Sequence, residues 1–464
     1  MSTPLLFIIF PFILAVVLYF FQTRKRLVYL LGITTCLVLM LFAYLQNFGA
    51  VWKIGPVSIE IKTSLAILGR SFSLTNQDKF FLTFLYFACA VWFGGTRSIQ
   101  TGSRFIPFGL AIVSILTAAL AVEPFLYSAI LVEIAMLASI PLLVEPGKPA
   151  GSGVLRYIVY QSMAMPFILF GGWLLGGIQA SPSDATRLLQ SVVFLGVGFA
   201  IWLAIVPFQS WVPKLSEELN PYVSGFLLGL FPIVTMLIMI DFISGLVWLR
   251  ESAYLEPALR LVGAIMVIST GVWAIIEMDL RRLLGYSVLL ESGLAVLLVS
   301  LQSETGVSLL LLSFFPRIAA MAIMALSLTI IKNNGVSLHL EAMSGLIKKM
   351  PVASLSLVFS LFAIAGGPLL AGFPVRLSML ELLAERSPSI TLGVLVGLGF
   401  FLFAVMRLLF RLTKPIEANY QRQESNVQIA MLVLGILFLV VFGFFPNLFV
   451  GIFKPLFMNL PILR

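Results

Sequence analysis

The chain has 464 residues, 60% of them hydrophobic and 11% charged, with a formal net charge of +9. A soluble domain carries about a quarter charged residues, so this composition excludes a soluble globular protein and implies an all-α polytopic membrane protein with little mass outside the bilayer. The positive charge is spread over loops rather than gathered into a patch, which argues for topogenic charge and against nucleic-acid binding.

A helix needs about 20 mostly apolar residues to cross a bilayer. About fourteen such segments are predicted: 4–21, 27–45, 80–96, 105–122, 125–144, 156–176, 189–206, 221–247, 257–277, 280–301, 305–331, 351–383, 389–410 and 427–445. The opening MSTPLLFIIFPFILAVVLYFF lacks a basic region and a small-residue cleavage site, so it reads as a retained first span. Residues 46–79 form the longest polar stretch, and the alternation in VWKIGPVSIEIKTSLAI predicts a small external hairpin. The tail PNLFVGIFKPLFMNLPILR reads as a short interfacial segment.

Two apolar stretches are interrupted in the same way. IWLAIVPFQSWVPKLSEELNPYVSGFLLGLFPIV carries Pro207, Pro213 and Pro221, and FAIAGGPLLAGFPVRLSMLELL carries Gly366, Pro368 and Pro374. Non-helical backbone at membrane depth survives only where protein or a hydrated cavity surrounds it. Paired breaks of this kind point to the ion or substrate path of a transporter-type fold. With the loop QTRKR placed on the cytoplasmic side, sixteen Lys and Arg fall inside and ten outside, four of those ten in one long loop. The bias puts both termini on the outer side.

Ionisable residues within spans are costly and by default mark function. Glu133 stands alone in the middle of FLYSAILVEIAMLASIPLLV, and Glu291, Arg317, Arg376 and Glu381 lie in or beside later spans. They are the candidate proton path, weighed against a plain role as ion pairs locking helices together; Asp241, near a helix end, is expected to reach the interface. Cys36 and Cys89 have no CxxC spacing, His339 is the only histidine, and neither a P-loop nor a GxGxxG is present. No metal, cofactor or redox catalytic site is expected in this chain.

At these positions the chain resembles the antiporter-like membrane subunits of respiratory complex I. AIVPFQSWVPKLSEELNPYVSG is similar to their PFHxWLPDAHxxAPTxxS, DLRRLLGYSVLLESG to DxKRLLAYSSxxHxG, and SGLIKKMPVASLSLVFSLFAIAGGPLLAGFPVRL to GGLxKxMPxxAxxFxxxxLxLxGxPPxxGFxxKF. LVEIAML matches the fifth span with its buried glutamate, and the resemblance covers about residues 80–420. It implies two inverted five-helix repeats, each with one interrupted helix. The expected division is 1–104 for the first three helices and external hairpin, 105–247 and 248–412 for the repeats, and 413–464 for the last helix and tail. It also implies a proton relay from a span-five glutamate, here Glu133, through lysines in spans seven and eight to a charged span-twelve residue, here Arg376.

The departures from that pattern are sharp. Trp202 stands where the span-seven lysine belongs, Ile233 or Val234 where the span-eight lysine belongs, and no lysine occurs from 215 to 331. Gln209 and Glu291 replace two signature histidines, and Phe314 or Phe315 a third. Arginine does not give up its proton in proteins, so Arg376 is a fixed charge rather than a relay. The implied function is a membrane-arm subunit of a complex I-type NAD(P)H or ferredoxin:quinone oxidoreductase that scaffolds proton translocation or contributes to it by an altered route. Its implied partners are other membrane subunits, the lipid bilayer, and protons or cations, in a bacterial-type inner or other energy-transducing membrane. The alternative is a subunit of a cation/proton antiporter or of a membrane-bound hydrogenase-type complex.

Overall fold

A computed structural model gives the fold for residues 2–54, 57–60, 62–67, 69–99, 102–144, 147, 149–180, 185–415 and 423–457. The chain opens with a π-helical turn, Leu5–Ile9, that runs into α1 (Phe10–Phe20). Then follow α2 (Lys25–Leu45), α3 (Lys79–Gly95), α4 (Phe105–Ala121), α5 (Ser128–Leu143), α6 (Ser152–Ala180), α7 (Ala185–Trp202) and the short α8 (Trp211–Glu218). The second half holds α9 (Pro221–Gly245), α10 (Val247–Arg250), α11 (Leu255–Ile276), α12 (Leu280–Ser300), α13 (Glu304–Asn333), α14 (Pro351–Ala365) and α15 (Phe373–Arg386). It closes with α16 (Pro388–Thr413), α17 (Asn426–Phe444) and α18 (Pro446–Phe457).

Among the described residues nine helices are long and apolar enough to cross a membrane, and four shorter apolar helices accompany them. The apolar windows of α9, α12 and α13 are 83%, 94% and 89% buried, against 28% for α2 and 17% for α17. The first three therefore form the centre, and the others turn much of their surface to lipid. Local chemistry sets the helix starts. Asn220 accepts the Tyr222 N–H at 2.9 Å with Pro221 in the first turn, and Asp279 accepts the Arg281 N–H at 2.8 Å. Ser425 and Gln428 form a reciprocal capping box at α17.

Two carboxylates act as long-range caps. Glu218, at the end of α8, accepts the Gly153 N–H at 2.8 Å and the Val154 N–H at 3.2 Å in the first turn of α6. Glu424, buried just before α17, accepts the Ala353 and Val352 N–H groups of α14 at 2.5 and 3.3 Å. Each satisfies amides that the helix itself leaves free. Beside Glu218, Glu217 pairs with Lys214 at 3.0 Å and with Arg282 of α12 at 2.9 Å, so the two signature segments meet.

The expected external hairpin proves to be two. β1 (Val51–Ile54) pairs antiparallel with β2 (Val57–Glu60), and β3 (Ser64–Ile67) with β4 (Arg70–Ser73), which also takes on the two-residue β5 (Val122–Glu123). The one alternating run is divided among three strands that belong to two separate sheets. In the tail, α18 packs back on the bundle: Phe453 stacks on Phe315 of α13 with ring centroids 4.0 Å apart. Residues 458–464 of that predicted interfacial segment lie outside the described residues.

Each interrupted stretch contains a gap between two helices. α7 ends at Trp202 and α8 begins at Trp211, with one 3-10 turn between; α14 ends at Ala365 and α15 begins at Phe373. Pro207 lies in the first gap, while Pro213 sits inside α8 and Pro221 opens α9. Gly366 closes α14 in the left-handed conformation at φ +80°, Pro368 lies in the second gap, and Pro374 sits in the first turn of α15. Proline is tolerated in a first turn because its missing N–H has no helical partner there.

Candidate functional site

At the second gap the chain brings together three of the predicted charges. Arg376, at the start of α15, donates to Glu291 of α12 at 2.5 Å, and both side chains are nearly out of reach of solvent at 9% and 7% exposure. Arg317 of α13 is likewise buried and donates to the Ser292 hydroxyl at 3.2 Å. Glu291, Arg317 and Arg376, with Ser313 and Gly372, line a cavity of about 10 Å³, room for roughly one water. Two cations face one anion, so the site carries net positive charge.

Arg376 also holds the gap together. Its guanidinium donates to the carbonyl of Ile364, in the last turn of α14, and to the carbonyl of Gly372 at 3.2 Å. The last carbonyls of a helix have no partner in the helix and carry the negative end of its dipole. A planar fork of five N–H donors can meet carbonyls and a carboxylate together, which an ammonium group does less well. Glycine is required on both sides. A Cβ at Gly366 would run into the Arg376 side chain, and one at Gly372 would strike both the Ala363 carbonyl and the Arg376 guanidinium. Other gap amides are met by tight turns, such as Gly367 N–H to Phe362 O at 2.7 Å and Leu370 N–H to Gly367 O at 3.3 Å.

The first gap has no comparable charges. Trp202 is 2% exposed and packs against Phe199 at 5.9 Å between ring centroids, and Phe199 packs against Phe242 at 5.5 Å. Ile233 and Val234 of α9 are fully buried. Here the backbone satisfies itself: the Ile205 N–H reaches Ala200 O at 2.8 Å and the Phe208 N–H reaches Ile205 O at 2.6 Å. Ala204 takes the left-handed conformation at φ 53° to make the turn.

Glu133 lies on α5 facing α6, half-buried, and accepts the Ser162 hydroxyl at 2.6 Å. Among the described residues its partner is thus a hydroxyl rather than a cation. Glu381 is exposed on α15 and does not line the cavity formed by Glu291, Arg317 and Arg376. Asp241 is exposed near the end of α9. Sequence reasoning missed Ser162, Ser292 and the carbonyls of Ile364 and Gly372. It also missed the buried Tyr157 Oη, Trp211 Nε1 and Ser216 Oγ, which, like Gln209 Oε1, have no hydrogen-bond partner among the described residues. Tyr157 and Trp211 have ring centroids 5.4 Å apart. Of the grouped charges only Glu291 belongs to a residue type that exchanges protons readily, because arginine stays protonated.

The fold has parallels in other membrane assemblies. The chain superposes on a chain of the archaeal membrane-bound sulfane sulfur reductase with a TM-score of 0.83 at 17% identity, covering 99% of this chain and 98% of that one. It superposes on a chain of respiratory complex I from Thermus thermophilus with a TM-score of 0.78 at 18% identity, covering 98% and 100%. These likenesses establish the fold of a polytopic antiporter-like subunit. In sequence the chain is 24% identical over 329 residues to "NADH-quinone oxidoreductase subunit N 2" of Acidobacterium capsulatum, 65% of this chain and 66% of that protein. It is 25% identical over 329 residues to "NADH-quinone oxidoreductase subunit N 2" of Syntrophobacter fumaroxidans, 67% and 69%. The alignments therefore span about two thirds of these relatives' length. The profile described as "NADH:quinone oxidoreductase/Mrp antiporter, TM" matches residues 155–402, more than half of the chain and inclusive of both gaps. The chain belongs to the NADH:quinone oxidoreductase/Mrp antiporter transmembrane family.

Proposed function

We propose that this chain is an antiporter-like subunit in the membrane arm of a complex I-type quinone oxidoreductase, and that it supports proton translocation as a scaffold and fixed-charge element rather than through a central lysine relay. The observation that carries this reading is the contrast between the gaps in a chain of this family. One begins at the buried indole of Trp202, and the positions where relatives' central lysines belong are buried Trp202, Ile233 and Val234; the other is lined by Glu291, Arg317 and Arg376. Hydrocarbon cannot hold a proton, and an indole displaces the water a proton needs. We further propose fourteen spans, with α7 and α8 counted as one and α14 and α15 as another. The inverted repeats then cover 105–247 and 248–412, between the opening helices and the closing segment. Both termini lie on the outer side of a bacterial-type inner membrane. The partners are neighbouring membrane subunits, and the electron donor and quinone are handled outside this chain.

The test is Glu133→Gln beside Glu291→Gln in the assembled complex, with protons moved per electron as the readout. The expected result is that Glu133→Gln assembles and leaves the ratio unchanged. A proportional loss of translocation in Glu133→Gln would mean a working path through the first half and would sink the scaffold reading. Co-purification with quinone-site and iron–sulfur subunits is expected; recovery only with cation/proton antiporter subunits would instead assign the chain to that class.

A further inference from the structure

A second cavity is lined by residues of neither gap. It has a volume of about 650 Å³ and lies between the start of α2 and described residues from the end of α3 to the start of α4. Its rim carries Lys25, Arg26 and Arg97, and no acidic residue lines it. None of these three cations has an ion-pair partner among the described residues. The Ser103 hydroxyl donates to Gln22 Oε1 at 3.4 Å across the cavity's two sides, so the walls are tied together. Gly102 contributes open space at the rim, where an added Cβ would meet nothing.

The backbone reinforces the charge. α2 starts at Lys25 with no side-chain cap and no acidic residue in its first turn. Its first amides are left without helical partners, and cations sit at the positive end of the helix dipole, where they are unfavourable. An oxyanion at this place would meet free N–H groups and three cationic side chains together. The cavity is not purely polar. Leu30 lines it, and Leu27, Leu30 and Leu31 are exposed on the same end of α2. A ligand with a charged head and an apolar tail matches both parts, whereas free phosphate matches only the first.

We propose that this cavity is a binding site for an anionic phospholipid. The phosphodiester head lies against Lys25, Arg26, Arg97 and the first amides of α2, and an acyl chain runs along the Leu30 and Leu31 face. Basic pockets at the ends of membrane helices recognise such headgroups through charge, with each Lys or Arg near the surface worth about 1 kcal/mol, roughly fivefold in affinity.

The experiment is native mass spectrometry of the full chain in detergent, titrated with phosphatidylglycerol, with phosphatidylcholine, and with inorganic phosphate in competition. The test variant combines Lys25→Gln, Arg26→Gln and Arg97→Gln. A control removes the same charge elsewhere, through Arg156→Gln, Lys349→Gln and Lys414→Gln. The expected result is retention of phosphatidylglycerol over phosphatidylcholine by the parent and the control, and a loss of at least about tenfold in the test variant. Should the triple change disturb insertion, Arg97→Gln alone decides, with about fivefold weaker retention expected. Equal retention by parent and variant overturns the proposal. So does displacement of the lipid by millimolar phosphate, which would mark a plain oxyanion site. Crosslinking of Arg97→Cys to a neighbouring subunit in the intact assembly would also overturn it, because the occupant would then be protein.

Discussion

The two gaps solve one physical problem by different means. Each leaves helical backbone interrupted inside an apolar bundle, and unpaired backbone groups there cost several kcal/mol apiece. Between α7 and α8 the chain folds the free amides onto its own carbonyls and packs the space with Trp202 and its neighbours. Between α14 and α15 it does this only in part and lets Arg376 reach across to Ile364 O and Gly372 O, with Glu291 as counter-ion. The first gap is held by shape and the second by charge. A segment held by shape has nothing to exchange with water, and one held by charge depends on every member of its group being present.

The largest expected effect comes from breaking the second arrangement. Arg376→Ala leaves the buried Glu291 carboxylate unpaired and strips two carbonyls of a donor, a loss of about 3–5 kcal/mol. Thermal unfolding of the purified chain measures it. A double change of Arg376→Leu with Glu291→Leu should recover most of that loss, because a buried pair replaced by hydrocarbon is often neutral. No recovery would mean that the carbonyl contacts, not the ion pair, dominate. Trp202→Ala, in the first gap, is expected to cost a comparable or slightly smaller amount, about 3 kcal/mol or more, through the cavity it leaves. Here a volume-restoring Trp202→Phe should recover much of the loss, which separates shape from charge. Arg376→Lys keeps the cation but loses the fork, with about 1–3 kcal/mol expected from the same unfolding assay. Gly366→Ala, at φ +80° and against the Arg376 side chain, should cost about 1 kcal/mol or somewhat more. The smallest effect is expected for Arg317→Met. It removes a buried cation that donates to the Ser292 hydroxyl and keeps most of the volume, so the change should stay within about 1 kcal/mol. A loss as large as that of Arg376→Ala would show that the two arginines act as a unit.

Much of this is legible in the sequence alone. Apolar runs and their breaks gave the helices and the gaps, because Pro207 and Gly366 act locally, through a missing donor and a left-handed turn. Glu291, Arg317 and Arg376 could be picked out as charges in apolar surroundings, since desolvation is a property of each residue's own segment. Their meeting could not, because it depends on how α12, α13 and α15 pack. Glu381 was grouped with them by nearness in sequence, yet five residues along a helix is about 140° around it. That turn is consistent with its exposed position and was available from the sequence alone. The bridging role of Arg376 had a faint signal in the glycines at 366 and 372, which read as breaks rather than as room for a side chain. Ser162 as the partner of Glu133 had none, because serines are common along these helices and only the α5–α6 contact selects one of them.

The capping carboxylates have a consequence for how the protein is made. The amide of Gly153 waits for Glu218, 65 residues later, and that of Ala353 for Glu424, 71 residues later. At a synthesis rate of about 5–20 residues per second, each helix start emerges from the ribosome roughly 3–14 s before the carboxylate that caps it. The N-terminal ends of α6 and α14 therefore enter the membrane unfastened, and each half of the molecule is latched only when its own later segment arrives.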